Sequence, residues 1–502
     1  ECTNERRQPD FGRSRSNRLW CAKEKVYYGN YEFDKECITN RDRMFDCPQN
    51  LREEEMFEVP EWAANKVVYQ IFPSRFAATE PVDKELWYKA PITPMDDLHG
   101  NLRGIIEHMD DIQDLGIDVL YMTPIFQSNS CHKYDTTDYY KIDPSFGTTE
   151  DLKELVQKAH ERGMKVVLDA VYNHTGREFF AFADILENGE KSKYRDWYFI
   201  DGFPLKSEWG EIPNFKCFGY YGGMPKLNLK NPEVEKYITD VACYWIKECD
   251  IDGWRLDVGD EISHFFWKNF RKAVKAVKKD LLIIGEIWHY AGDFLEGDEW
   301  DTVMNYPFYL NLIDLLADEK ITVSQFVQNL GYLKGRLNKN CYPLMWNLID
   351  SHDTARFLHL CNDNKKKQHL AAAFQLLLPG MPMIYYGDEY AMPGANDPDC
   401  RRGMYWDEEY QDKEMYEWYK QLIRVRKSHA CIVEGELAGI VTEDEEGTVV
   451  LIRKNGEETI AMIFNCSSSA KKFNEYTEKY NLLTENTFDG NVEGFDAAVI
   501  VL

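Results

Sequence analysis

The sequence predicts an α/β protein: a parallel (β/α)8 barrel with an inserted subdomain after its third strand, followed by a C-terminal antiparallel β-sandwich. Three observations lead there. Eight short strand-like runs alternate with amphipathic helical stretches over residues 61–426. Charged side chains stand at the C-terminal ends of several of those runs, where such a barrel gathers its functional groups. From residue 427 the helical pattern gives way to short alternating strands.

Taken in order, residues 1–60 are polar, carry four cysteines and show only short strand-like runs such as Lys25–Tyr28, too little for a complete domain. The barrel strands read as buried apolar runs at 67–72, 118–123, 165–169, 251–257, 281–286, 302–304, 345–350 and 383–386. Between the first two, 103–115 has a helical pattern. Thr148 caps the next helix, whose Leu152, Leu155, Val156 and Ala159 share one face before Gly163 stops it. Pro232 suits the first turn of a helix presenting Val234, Ile238, Val241 and Trp245. Further helices are expected at 265–277, 368–378 and 415–426. The alternation pauses over 174–228, which is rich in aromatics, glycine and lysine and reads as the inserted subdomain. The sandwich is expected over 427–502, with strands at 449–453, 459–464 and 497–501.

The net charge of -27 argues against nucleic acid or an anionic membrane surface as partner and favours a neutral substrate. Aromatic residues reach 14%, a surplus that suits a cleft stacking on flat apolar faces such as those of sugar rings. The 13 cysteines show no regular spacing and no CxxC pair, which speaks against zinc and for reduced thiols in a cytoplasmic protein. No stretch is apolar enough to span a bilayer, and no signal peptide is visible.

The chemistry centres on Ile251-Asp-Gly-Trp-Arg-Leu-Asp257. Residues two apart in a strand share a face, so Arg255 and Asp257 project together, and the arginine keeps the aspartate ionised. Alone, such a pair reads equally well as a structural ion pair. The other strand ends change that: strand 3 ends in Asp169 with Asn173 and His174 beyond it, strand 5 in Glu286, and strand 7 runs into His352 and Asp353. Glu286 lies between Ile283-Ile-Gly285 and Ile287-Trp288, and an apolar setting would keep its proton in place for donation. One ionised and one protonated carboxylate is the arrangement of glycoside hydrolysis.

These segments resemble the α-amylase superfamily of retaining glycosidases, and within it the neopullulanase, cyclomaltodextrinase and maltogenic amylase group. The matching stretches are Asp169-Ala-Val-Tyr-Asn-His174, Met224-Pro-Lys-Leu-Asn228, Gly253-Trp-Arg-Leu-Asp257, Gly285-Glu-Ile-Trp288 and Ser351-His-Asp353. Three more are His132-Lys-Tyr-Asp135, Tyr386-Gly-Asp-Glu389 and Asp397-Pro-Asp-Cys-Arg401. The resemblance implies a retaining α-glucan hydrolase that cleaves α-1,4 links in maltodextrins, cyclodextrins and pullulan through a covalent intermediate, with transglycosylation. It implies Asp257 as nucleophile and Glu286 as general acid/base. Asp353 would grip hydroxyls of the distorted ring, with His174 and His352 bonding to the same sugar and Tyr134 stacked beneath it. Asp397 and Arg401 would hold the next sugar, Trp288 would form an aromatic platform on the acceptor side, and Asp169 and Arg255 complete the site. The rivals are an α-1,6-cleaving relative, against which Met224-Pro-Lys-Leu-Asn228 argues, and a non-catalytic glycan-binding protein, against which the intact Asp257, Glu286 and Asp353 argue.

Two departures stand out. Residues 258–261 read Val-Gly-Asp-Glu where the group usually has Val-Ala-Asn-Glu, so Asp260 adds a charge on the acceptor side. Residues 1–60 amount at most to the tail of the group's N-terminal β-sandwich, which in relatives covers the partner's cleft in a homodimer. The group often carries calcium near the start of the barrel. Here the first loop, Ser74-Arg-Phe-Ala-Ala-Thr-Glu80, has alanines where ligands would fall, and the second, His99-Gly-Asn101, has an amide in place of a carboxylate. Calcium needs six to eight oxygen ligands, with carboxylates giving most of the affinity; Glu80, Asp83 and Asp97 nearby are the material for a rearranged site, but with the usual ligand positions lost no cofactor and no metal are expected.

Overall fold

The computed structural model of the protein describes residues 58–206 and 212–502, together with three short strands nearer the start. Those strands, Leu19–Cys21, Lys25–Tyr28 and Tyr31–Asp34, pair antiparallel in sequence order. The rest of residues 1–57 lies outside the described residues.

Eight parallel strands follow: β1 (Val68–Ile71), β2 (Val119–Met122), β3 (Lys165–Ala170), β4 (Gly253–Leu256), β5 (Leu282–Gly285), β6 (Thr302–Val303), β7 (Trp346–Asn347) and β8 (Met381–Tyr385). Their order is β6-β5-β4-β3-β2-β1-β8-β7. A parallel bridge between Met304 and Trp346 closes the ring, helped by the Asn305 N–H donating to the Trp346 carbonyl at 2.8 Å. Every residue of β1, β2, β4 and β5 is buried, as strands with helices outside and packed side chains inside must be. At Gly285 the close packing is explicit: a Cβ there would lie 2.2 Å from the ring of the buried Trp300.

The helices follow their local signals. Thr148 and Asp151 form the capping box of Thr149–Glu161. Asn231 caps Pro232–Cys249, with the proline in its first turn. The expected helix 103–115 is instead two helices, Leu102–Glu107 and Met109–Leu115, broken at His108. There the imidazole stacks on Trp406 at 3.6 Å, a tertiary contact that no local pattern announces. Strand β8 begins at Met381, earlier than expected, because Pro382 is tolerated near the strand's start. The described residues of 173–228 hold one α-helix, Phe180–Asn188, and are tied across by the bridges His174–Lys226, Tyr198–Leu227, Ile200–Phe215 and Cys217–Pro225.

The C-terminal part is an antiparallel sheet whose long strands are Glu436–Glu443, Thr448–Asn455, Glu458–Asn465 and Asp496–Val501. A two-stranded layer, Lys471–Lys472 with Asn491–Val492, lies over it and encloses a separate core that includes Ile463, Phe473, Phe488 and Ile500. Phe464 of the sheet stacks on Phe374 of a barrel helix at 4.2 Å. Among the described residues, no helix is long and apolar enough to cross a membrane, and the nine cysteines are unpaired.

Candidate active site

Strand register brings the charged groups together. Asp169 of β3 pairs in register with Arg255 of β4, so their side chains leave the same face of the sheet. Asp257 and Glu286 each lie one residue beyond their strands, and the ladder continues to them. The Asp257 N–H donates to the Ala170 carbonyl at 3.1 Å, and the Glu286 N–H to the Leu256 carbonyl at 3.0 Å. The two carboxylates therefore stand side by side at the C-terminal end of adjacent strands.

Arg255, with no exposed surface, is the hub. Its Nη1 donates to both oxygens of Asp169 and to Oδ1 of Asp257, each at 3.0 Å. Its Nη2 lies 2.9 Å from Oε2 of Glu286, a contact of charges rather than an aligned hydrogen bond. Asp169 also accepts from the hydroxyls of Tyr121 at 2.7 Å and Tyr134 at 3.0 Å. Burial pushes the Asp169 carboxyl up to about 6, with Arg255 opposing. Asp257 departs from the expectation that Arg255 alone keeps it ionised: burial raises its carboxyl, with Arg255 opposing and the carboxylates of Glu286, Asp169 and Asp353 adding to the rise. One guanidinium thus serves several acids, and Asp169 and Asp257 titrate together rather than singly. Oδ2 of Asp257 is buried and accepts no hydrogen bond among the described residues.

The apolar surroundings expected for Glu286 are not what the structure holds. Oε2 accepts the Val258 N–H at 2.8 Å, and Oε1 accepts the Trp288 indole N–H at 3.0 Å. The sequence neighbours Ile283, Ile284 and Ile287 pack into the core instead. Trp288 also departs from expectation. It is only 7% exposed and stacks on Tyr306 at 3.8 Å, so it backs the carboxylate rather than offering an open platform. Asp260, the charge added after β4, meets Nε2 of His289 at 3.1 Å.

The opposite wall is built on His352, whose Nδ1 lies 2.8 Å from Nε2 of Gln70 and whose Nε2 bonds the Tyr134 hydroxyl. Tyr134 stacks nearly parallel to His352, with ring centres 5.5 Å apart. Oδ2 of Asp353 lies 3.4 Å from Nε2 of His352, and its Oδ1 lies 3.6 Å from Nη2 of Arg401. Arg401 pairs with Asp397 at 2.9 Å, donates from Nε to the His352 carbonyl at 2.8 Å, and lies over the Phe72 ring. His174 sits beneath Tyr134, with Nε2 at 3.0 Å from the Tyr134 carbonyl and Nδ1 near the Asn173 amide. Burial takes His174 down to about 3, which fixes it as the neutral tautomer donating from Nε2. His174 and His352 were expected to bond the sugar directly. Both are buried, and a ring nitrogen of each bonds to Tyr134.

All eleven expected site residues thus gather around the mouth of the barrel. Gln70, Tyr121 and Tyr306 join them unannounced, although a glutamine inside the apolar run 67–72 was a signal that could have been read. In the segment Tyr386-Gly-Asp-Glu389, Asp388 pairs with Arg356 at 3.0 Å and Glu389 accepts from Tyr69 at 2.6 Å, which braces the floor. The loops weighed for calcium use their oxygens otherwise. Asp83 caps the turn Lys84–Trp87, Asp97 accepts the His99 N–H, and Asn101 caps Leu102–Glu107. Among the described residues, no three His, Cys, Asp or Glu side chains come together as a metal site.

A barrel with paired carboxylates on one arginine at its C-terminal mouth, and a third carboxylate facing them, defines a glycoside hydrolase. Comparison with known proteins gives the particular family. Residues 70–435 match the alpha amylase catalytic domain, and the chain belongs to that family. It is 45% identical over 451 residues to a cyclomaltodextrinase of Geobacillus thermopakistaniensis, covering 89% of this chain and 76% of that one. It is 41% identical over 420 residues to the intracellular maltogenic amylase of Bacillus subtilis, covering 83% and 71%. The solved structure of the ligand-free cyclic alpha-maltosyl-(1→6)-maltose hydrolase of Arthrobacter globiformis superposes with a TM-score of 0.81 at 36% identity, covering 88% of this chain and all of that one.

Proposed function

We propose that the protein hydrolyses α-1,4-glucosidic bonds of neutral α-glucan oligosaccharides, namely maltodextrins, cyclodextrins and pullulan, with retention of configuration. The observation that carries this reading is the pair Asp257 and Glu286, side by side on one guanidinium, with Oδ2 of Asp257 bound to no donor among the described residues. Carboxylates held together in this way suit the separation of about 5–5.5 Å that a retaining enzyme needs, rather than the wider gap that leaves room for a water. Glu286 protonates the glycosidic oxygen as Oδ2 of Asp257 attacks the anomeric carbon. The leaving sugar departs with that proton. Glu286 then takes a proton from water, which attacks the same carbon and frees Asp257. Asp353 holds the hydroxyls of the reacting ring, Tyr134 lies beneath it, and Arg401 with Asp397 contacts the neighbouring sugar.

No calcium or other cofactor enters this reading, since Asp83, Asp97 and Asn101 already serve as caps and turn acceptors. The likeness to a protein named as intracellular supports a cytoplasmic enzyme. The net charge of -27 speaks against nucleic acid and anionic membranes as partners, and a homodimer, implied by the resemblance, is tested by sedimentation. A likeness to the debranching enzyme of Nostoc punctiforme, 32% identical with a TM-score of 0.78, supports a second reading, α-1,6 cleavage. Product analysis on β-cyclodextrin, pullulan and starch separates the two. Release of panose-type trisaccharides from pullulan and opening of the cyclodextrin ring are expected, whereas maltotriose from pullulan with an intact cyclodextrin would favour α-1,6 cleavage.

A further inference from the structure

Val258, directly after Asp257, has φ 47° and ψ 44°. A β-branched residue in the left-handed region is a marked outlier and persists only where its surroundings hold it there. The turn it begins is held from several sides. The Glu261 N–H donates to the Val258 carbonyl at 3.1 Å, and the Trp267 indole donates to the Gly259 carbonyl at 2.9 Å. The far end of the turn is gripped by Lys226, from the end of the inserted subdomain. Its Nζ lies 3.0 Å from the Glu261 carbonyl and 3.3 Å from Oε2 of Glu261, and it also donates to Oδ1 of Asn173. Asn173 in turn donates to Oε2 of Glu261 at 3.1 Å. One ammonium thus joins the loop after β3, the end of the insertion and the turn after the nucleophile.

The consequence reaches Glu286. Its Oε2 accepts the Val258 N–H and faces Nη2 of Arg255, both of which favour negative charge on that oxygen. Among the described residues Oε1 accepts a single N–H, from the Trp288 indole, and faces no cation, so of the two oxygens it is the one left to take the proton. We propose that Lys226 is a positioning residue for proton donation: its ammonium fixes the turn 258–261, and through it the Val258 N–H that reserves Oε2 of Glu286 and leaves Oε1 to carry the proton. This rests on the reading of Glu286 as the acid.

The test is Lys226→Met, which keeps the side-chain length and removes the charge, assayed on two substrates. Maltotriose has a sugar leaving group that must be protonated; α-maltosyl fluoride has one that departs with far less help. For maltotriose, kcat/KM is expected to fall about tenfold, part of the roughly hundredfold or more that a placed proton donor contributes, while kcat/KM for the fluoride changes by less than about threefold. Lys226→Arg, whose guanidinium can reach the same oxygens, should restore most of the loss. Equal losses on both substrates would overturn the proposal and leave Lys226 as a structural tie. Glu286→Gln is the control. It should show a still larger difference between the substrates, and if it does not, the assignment of the acid fails rather than that of Lys226. Should Lys226→Met lose its native circular dichroism spectrum, Glu261→Gln weakens the same tie and must show the same selective loss, in smaller measure.

Discussion

Replacing Arg255 by methionine should destabilise the protein most where its carboxylates are ionised. The side chain is fully buried and faces Asp169, Asp257 and Glu286 at 2.9–3.0 Å. Methionine fills much of the space but leaves those acids without their cation. Removing one partner of a buried ion pair costs about 3–5 kcal/mol, because an uncompensated charge stays behind. With several acids on one arginine the upper part of that range applies, but the acids can also take up protons. Asp169 is already raised from 3.8 to about 6 by burial, and losing Arg255 raises it further. A carboxyl whose folded value lies above its unfolded one favours folding at low pH, and that contribution is lost as pH rises through the folded value. The difference between Arg255→Met and the parent should therefore be smallest near about pH 5 and reach about 3–5 kcal/mol by about pH 8. Urea titrations followed by tryptophan fluorescence at both values measure it. A difference under about 1 kcal/mol at the higher pH, or one that grows as pH falls, would refute the reasoning.

Asp169→Asn removes the titrating group itself. The rise from 3.8 to about 6 corresponds to a loss on the order of 3 kcal/mol as pH climbs from about 4 to above 6, so the variant's stability should vary less with pH across that window. A slope equal to the parent's would contradict this. Trp288→Phe keeps a ring against Tyr306 but removes the N–H from Oε1 of Glu286. A hydrogen bond to a charged group is worth about 1.5–3 kcal/mol, so kcat/KM on maltotriose should fall at least about tenfold. An unchanged rate would reduce Trp288 to packing. Dialysis against EDTA should leave activity and Tm unaltered; a fall in Tm reversed by calcium would reveal oxygen ligands recruited from elsewhere.

The features of the fold and site legible in the sequence are those encoded locally. Alternating strand and helix patterns, the Thr148 cap and Pro232 at a first turn are all nearest-neighbour signals, and the elements they announce are present, except that the helix expected at 103–115 is broken in two at His108. Asp169, Arg255, Asp257 and Glu286 could be read because charged residues at the ends of apolar runs are rare in type and position. What escaped depends on contacts distant in sequence. The surroundings of Glu286 are not legible locally, because flanking isoleucines report on the core side of a strand, whereas its carboxylate faces Arg255 and the Val258 N–H. Trp288 reads as a platform until Tyr306, eighteen positions further on, is seen covering its face. Lys226 stands inside a motif tied to substrate class, yet its contacts lie on Asn173 and Glu261 in two other loops, and no local pattern links them.

The central claim is that Asp257 carries the glycosyl group and Glu286 serves as acid and base. The most direct measurement is to expose Glu286→Gln to α-maltosyl fluoride, whose leaving group needs little protonation, and to map the product by peptide mass spectrometry. Formation should survive while hydrolysis of the intermediate slows, so a maltosyl adduct is expected on the peptide containing Asp257. An adduct on Asp169 or Asp353, or release of β-maltose with no adduct at any time, would contradict the assignment.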